Sequence, residues 1–370
     1  MCVRIISILW NKSITFIYLN ITSITMSDIK PNQIFNPSWD DNTQSRTIIK
    51  WNTTWLFNLN NTKYWRAKSL YTIMIWNFRV PEKVSGLNED SICYKTELTE
   101  YERKAYDGIL SFLIFLDSIQ TVNLPNFSDY ITAPEVNLIL AIQTYQEAIH
   151  SQSYATILES VADSAKRDEI YYLRRDNEIL LERNKFIGQI YQDFIDNPND
   201  DNFFKWLIWN FLLEWLYFYN GFAFFDTLAD QQKMKATDRM INYIRRDELT
   251  HVTMFTNILS EIKKEFPAMR NEKIIYDMFT TAVEQEIKRS QFILGNKIIW
   301  INHESTADYT KRLANNRLGL IWLKPLFPDV ENPYKHLERL QDNNWEKTNF
   351  FESTVTNYTQ SSSMKWNRDF

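Results

Sequence analysis

The chain has 370 residues, 41 Lys and Arg against 46 Asp and Glu, and a formal net charge of -5. Hydrophobic residues make up 44% and aromatics 15%, which excludes a disordered chain. The mild acidity argues against nucleic acid or an anionic membrane as the main partner. Two cysteines, Cys2 and Cys93, exclude a disulfide framework and a Cys-rich zinc site, and fit a reducing, cytoplasmic compartment.

Residues 1–25 are apolar but interrupted by Asn11, Lys12 and Asn20, and no small-residue cleavage site follows. They make a poor signal peptide and a poor membrane span. The expectation is a mis-called start or a disordered leader, with synthesis beginning at Met26. From Glu100 to about Leu320 the pattern is helical with short polar breaks. Thr99 before Glu-Tyr-Glu reads as a cap, and Pro134 and Glu135 fit the first turn of the next helix. Residues 197–200 (Asn-Pro-Asn-Asp) mark a break. The run 203–225 is apolar nearly all round and carries Glu214 at its middle, so it belongs at the centre of a bundle. The helices around it are charged and amphipathic. No segment other than the leader approaches 18 apolar residues, so the chain is read as soluble. Strand signals are weak after residue 60. The prediction is an all-α domain over residues 26–344. The polar segment 345–370 is read as a flexible tail, whose Trp366, Asp369 and Phe370 suit docking into a partner's groove; an ordinary frayed end fits the composition equally well.

Of four histidines, two lie in Glu-x-x-His: Glu147 with His150, and Glu248 with His251. On a helix, i and i+3 project from one face, so each pair can hold one metal ion. Each pair follows a lone acid on an apolar helix: Asp117, 30 residues before Glu147, and Glu214, 34 residues before Glu248. A buried carboxylate without a partner costs several kcal/mol or is forced neutral. Two similar halves would supply four carboxylates and two imidazoles, the donor set of di-iron and di-manganese carboxylate bundles. Pairing of these acids with core Lys or Arg is the competing reading. Tyr154 lies four residues beyond His150, on the metal-facing side of the same helix.

The strings 116–120 (LDSIQ), 141–154 (AIQTYQEAIHSQSY), 243–251 (YIRRDELTH) and 332–338 (NPYKHLE) closely resemble the small, radical-generating subunit of class I ribonucleotide reductase. The resemblance runs from about residue 34 to the C-terminus. It implies a ferritin-like helical bundle, usually a homodimer, that partners a large catalytic subunit. It further implies that Asp117, Glu147, His150, Glu214, Glu248 and His251 hold two irons, which with O2 oxidise Tyr154 to a radical. Mn/Fe and Mn/Mn pairs suit the same donors. Phe218, Phe222 and Ile244 match the apolar cage around the radical. Asp247 matches the acid that orients the His150 ring, and Tyr358 matches a relay tyrosine in the docking tail. The large subunit would reduce ribonucleotides to deoxyribonucleotides; the small one would bind no nucleotide substrate.

The chain departs from the family at informative places. Arg79 replaces the Trp of Asn-Phe-Trp-x-Pro-Glu-Lys, the usual link between Asp247 and the surface, and could instead pair with Asp247. There are 6 Gly, where average usage of about 7% gives roughly 26, and 13 Trp. Trp51, Trp215, Trp300 and Trp322 fall where the family has Gly, and Trp39 and Trp345 fall in turn-like contexts. Trp215 beside Glu214 should overpack the core, at about 1–3 kcal/mol or more. Arg66 and Arg79 fall where the family tends to have Trp. One cause covers all of these: a gene with a reassigned code, translated with the wrong table. Real divergence is the alternative. Three other functions compete. An oxidase of the same fold would tend to carry Glu at the position of Asp117 and lack the tail. An iron store would need neither Tyr154 nor the tail. A decayed, non-catalytic subunit is permitted by Arg79.

Overall fold

The computed structural model describes residues 9–10, 13–14, 29–38 and 42–337. Trp39, Trp345, Tyr358 and the 345–370 tail lie outside them, as does residues 1–25 apart from a short antiparallel pairing of Leu9–Trp10 with Ser13–Ile14. Beyond the irregular segments 29–38 and 42–64, most of the described chain is helical: α1 Trp65–Trp76, α2 Leu87–Thr96, α3 Glu100–Ser128, α4 Pro134–Val161, α5 Ser164–Asp176, α6 Glu178–Asp196, α7 Asp200–Leu212, α8 Phe218–Asp230, α9 Lys235–Glu265, α10 Glu272–Ile293 and α11 His303–Leu320. A π-helical turn, Leu213–Tyr217, joins α7 to α8.

The helix starts follow local chemistry. Thr99 Oγ1 accepts from the Glu102 N–H at 3.2 Å, and Glu102 returns the bond to the Thr99 N–H at 2.8 Å, a capping box worth about 1 kcal/mol. Pro134 opens α4, where its missing N–H is no loss. Asn199 caps α7 through the Asn202 N–H at 2.9 Å.

The rod α7–α8 forms the centre, and residues 206–228 are all buried. Trp206 stacks on Phe127 of α3 with ring centroids 3.8 Å apart, and its Nε1–H donates to Asn123 Oδ1 at 2.8 Å. Truncating it to Ala would cost about 3–5 kcal/mol. Gly221 lets α8 approach α3 closely: an added Cβ would stand 3.2 Å from the side chains of Ile109 and Leu113. Around the rod pack α3, α6, α9 and α10, and α4 lies against α3 and α9. The N-terminal segment is clamped onto α4 by Arg46, which pairs with Glu135 at 2.8 Å, both buried.

By length and composition α3 meets the criterion for a membrane span, and it is the one such helix among the described residues. The expectation that no segment other than the leader nears this limit is thereby corrected. The interior position of α3 explains its apolarity, because 67% of that stretch is buried against the bundle.

Two tryptophans stand where the backbone asks for glycine. Trp322 has φ +62° immediately after α11. Its N–H bonds to the Gly319 carbonyl at 3.1 Å, and the Leu323 N–H bonds to Leu318 at 2.9 Å. This is the Schellman closure, whose left-handed residue is usually glycine. Trp55 also has φ +62°. Trp300 and Trp322 expose 61% and 54% of their surface, more than a packed indole would.

Candidate metal centre

Four rods deliver the site. Asp117 comes from α3, Glu147 and His150 from α4, Glu214 from the π turn, and Glu248 and His251 from α9. All six predicted ligands converge, and none is more than 1% exposed. They form two overlapping groups: Asp117, Glu147, His150 and Glu248, then Glu147, Glu214, Glu248 and His251. Within each group the donor atoms lie within 4.8 Å of one another. Glu147 and Glu248 belong to both.

The imidazoles point the same way. His150 Nδ1 lies 3.0 Å from Asp117, 3.4 Å from Glu147 and 3.1 Å from Glu248. His251 Nδ1 lies 2.8 Å from Glu248 and 3.3 Å from both Glu147 and Glu214. Each Nε2 faces away, His150 to Asp247 Oδ2 at 3.2 Å and His251 to Gln146 Oε1 at 2.9 Å. Both of those oxygens can only accept from the ring, so each Nε2 carries a proton, and Nδ1 is the nitrogen that each ring would offer a metal on giving up any proton it holds there. The expected contact of Asp247 with the His150 ring is present.

Electrostatics test what such a cluster can hold. Burial drives the Asp117 carboxyl well up, and drives Glu214 up together with the charges of Glu147 and Glu248. Burial and the charge of Glu147 push Glu248 up to about 8. Burial also acts to raise Glu147, but the two imidazoles draw it below the usual carboxylate range. Burial opposes charging of His150, yet Asp117, Asp247, Glu147 and Glu248 hold its pKa well above the usual value. Asp117 Oδ2, Glu147 Oε2 and Glu248 Oε1 are buried with no hydrogen-bond partner. Among the described residues no Lys or Arg forms an ion pair with these four acids, so the competing core-pairing reading does not hold. Four carboxylates and two neutral imidazoles carry -4, which two divalent cations cancel. The donor set therefore fits two hard or borderline transition-metal ions.

Tyr154 is fully buried on α4, and its hydroxyl has no hydrogen-bond partner. Burial holds the phenol well above its usual pKa, reinforced by the charges of Asp117 and Glu248. Phe218, Phe222 and Ile244 are also buried.

Three amides escaped the sequence reading. Gln143 Nε2 donates to Glu214 Oε1 at 2.7 Å and to Glu147 Oε1 at 3.1 Å, and Gln120 Nε2 also donates to Glu214 Oε1. Gln146 is the acceptor for His251. The available signal was position. Gln120 follows Asp117 by three residues, and Gln143 precedes Glu147 by four, so each shares a helix face with a ligand.

Arg79 does not pair with Asp247. Its guanidinium lies 4.6 Å over the Tyr243 ring, and Asp247 Oδ1 has no hydrogen-bond partner. A cavity of about 50 Å³ is lined by both, and by Asn77, Tyr145 and Gln146. The cation–π contact is available at the half-exposed rim, whereas pairing would require desolvating the guanidinium. Trp215 is tightly packed: it stacks on Tyr219 at 4.1 Å and lies under the Arg317 guanidinium at 3.0 Å, inside ordinary van der Waals contact, with its buried Nε1 left without a partner.

Fold and site together define a helical-bundle protein with a buried carboxylate–histidine centre for two metal ions. The sequence profile described as "Ribonucleotide reductase, small chain" matches residues 56–333. The ribonucleoside-diphosphate reductase subunit beta of Treponema pallidum is 41% identical over 337 residues, covering 90% of this chain and 95% of that one. Its counterpart in Halalkalibacterium halodurans is 35% identical over 320 residues, covering 85% and 92%. The solved ribonucleotide reductase R2 subunit from Clostridium botulinum superposes with a TM-score of 0.81 at 43% identity, covering 85% and 99%. The chain belongs to the ribonucleotide reductase small-chain family, with its ferritin-like fold. Its role is that of the class I small subunit, not that of a free-standing oxidase or an iron store.

Proposed function

We propose that Asp117, Glu147, His150, Glu214, Glu248 and His251 hold two iron ions, and that Tyr154 is the radical-bearing residue of a ribonucleoside-diphosphate reductase. The observation that carries this reading is the pair of overlapping donor groups, with Glu147 and Glu248 in both and Tyr154 one helical turn beyond His150. Mn/Fe and Mn/Mn pairs suit the same oxygen and nitrogen donors. When bound, the metal pair would use O2 to supply an oxidant that takes one electron and the hydroxyl proton together from the Tyr154 phenol.

The protein's own residues set the conditions for that step. Asp247 and Gln146 hold the two rings in the tautomer that presents Nδ1 to the metals. Gln120 and Gln143 fix Glu214. Burial of Tyr154 with Phe218, Phe222 and Ile244 excludes water and reductants, which gives an oxidised phenol a long life. Tyr358 relays the oxidising equivalent to the large subunit, onto which the 345–370 tail docks. The ribonucleotide is reduced there, and no nucleotide substrate binds here. The subunit acts as a cytoplasmic homodimer whose metal-binding domain spans residues 26–344. Low-temperature EPR after anaerobic metal loading and O2 exposure tests the reading, together with turnover assays. A tyrosyl signal and a strict requirement for added large subunit are expected. Turnover without that subunit, or no radical in the fully loaded protein, would overturn it.

A further inference from the structure

The two imidazoles are tethered by groups of different charge. His150 Nε2 meets the Asp247 carboxylate, and His251 Nε2 meets the neutral Gln146 amide. Gln146 is 4% exposed, and its own Nε2–H donates to the Met74 carbonyl at 3.3 Å. That carbonyl lies in the last turn of α1 and also accepts from the Asn77 N–H at 3.1 Å, so Gln146 supplies its second bond. The bond turns the amide oxygen of Gln146 towards His251. The same asymmetry continues inward, because Glu214 accepts from the Gln120 and Gln143 amides, which draw charge from it.

We propose that Gln146 is the positioning residue of His251, and that its neutral amide makes the Glu147–Glu214–Glu248–His251 site the weaker of two unequal metal sites. The proposal rests on the reading of the cluster as a dinuclear centre. The physical reason is ligand basicity. A carboxylate acceptor pulls the Nε2 proton more strongly than an amide and makes Nδ1 the better donor. An amide still fixes the tautomer but strengthens the ring less. His251 therefore binds its metal with correct aim and lower affinity, and loading of the full chain is sequential.

Anaerobic Mn(II) titration of the full chain, with free Mn(II) counted by EPR, tests this. The wild-type chain should take up two ions in two resolved steps. Gln146→Leu should weaken the second step by about 10–100-fold and leave the first unchanged, the usual scale for loss of a partner behind a ligand. Gln146→Glu keeps an acceptor oxygen and should restore the second step or tighten it beyond wild type. Three results would overturn the proposal: a Gln146→Leu titration that matches wild type, an equal weakening of both steps, or a Gln146→Glu protein no better than Gln146→Leu. A wild-type chain that binds fewer than two ions would overturn the metal-centre reading itself, and the proposal with it.

Discussion

Tyr154→Phe separates chemistry from stability, because the structure makes the two effects opposite in sign. The hydroxyl is buried without a hydrogen-bond partner, a state that costs about 1–3 kcal/mol. Its removal leaves a vacancy of about 10–15 Å³, just enough for one water. At about 24 cal/mol per Å³ that vacancy costs about 0.3 kcal/mol. The Phe protein should therefore be as stable as the parent or about 1 kcal/mol more so, a rise of about 2–4 °C in Tm for a domain of this size. It should bind both metals and lose the tyrosyl EPR signal and nucleotide reduction entirely. Differential scanning calorimetry on the metal-loaded protein reads the first effect, and EPR on the same sample reads the second. A Tm lower by more than about 5 °C would mean that the hydroxyl has a strong partner. Survival of the radical signal would mean that another residue carries it.

Metal affinity should weaken as pH falls. Glu248 titrates near about 8 in the metal-free cluster, so a proton competes with the metal below that pH and uptake releases protons. Metal-free stability should move the other way. The raised pKa of Glu248, reinforced by that of His150, means the folded state holds more protons than the unfolded one above about 4.5. Stability then falls as pH rises from 4.5 towards 8, and thermal melts of chelator-treated protein at pH 6 and pH 8 should show the lower Tm at pH 8. Trp322→Gly should raise stability by about 1–2 kcal/mol, since a side chain at φ +62° is strained; an unchanged or lower Tm would contradict the Schellman assignment. Peptide mass spectrometry of the protein from its own cells should find Gly at 215 and 322 and Trp at 79, as a reassigned code requires; Trp at 215 with Arg at 79 would end that explanation.

The six converging side chains were legible because helical spacing and burial act together. Two Glu-x-x-His pairs and two lone acids on apolar helices leave few arrangements that satisfy every carboxylate. The central position of the 203–225 run followed from its lack of a polar face. The amides of Gln120, Gln143 and Gln146 were less visible, because neutral side chains at helical spacing look like ordinary surface residues until neighbouring helices bury them. The direction taken by Arg79 was also beyond the sequence. It depends on a choice between an aromatic rim at Tyr243 and a carboxylate one layer deeper, and only packing sets that choice. The strain at Trp322 needed the backbone angle, although the glycine deficit had already pointed to such places.

The π turn at Leu213–Tyr217 works as a phase shifter within the longest buried rod. It seats one residue more than an α turn would. Everything after it is therefore rotated by about 100° relative to an uninterrupted helix. Upstream of the turn, the rod is indexed to the partners of Trp206. Downstream, Gly221 is indexed to α3 and Asp226 to Arg245 at 2.6 Å. Deleting any one residue from 213–217 would keep the helix but misalign one half of it with its neighbours. A helix this apolar could slide along the bundle axis at little cost, and the extra residue pins its register where Glu214 must point inward.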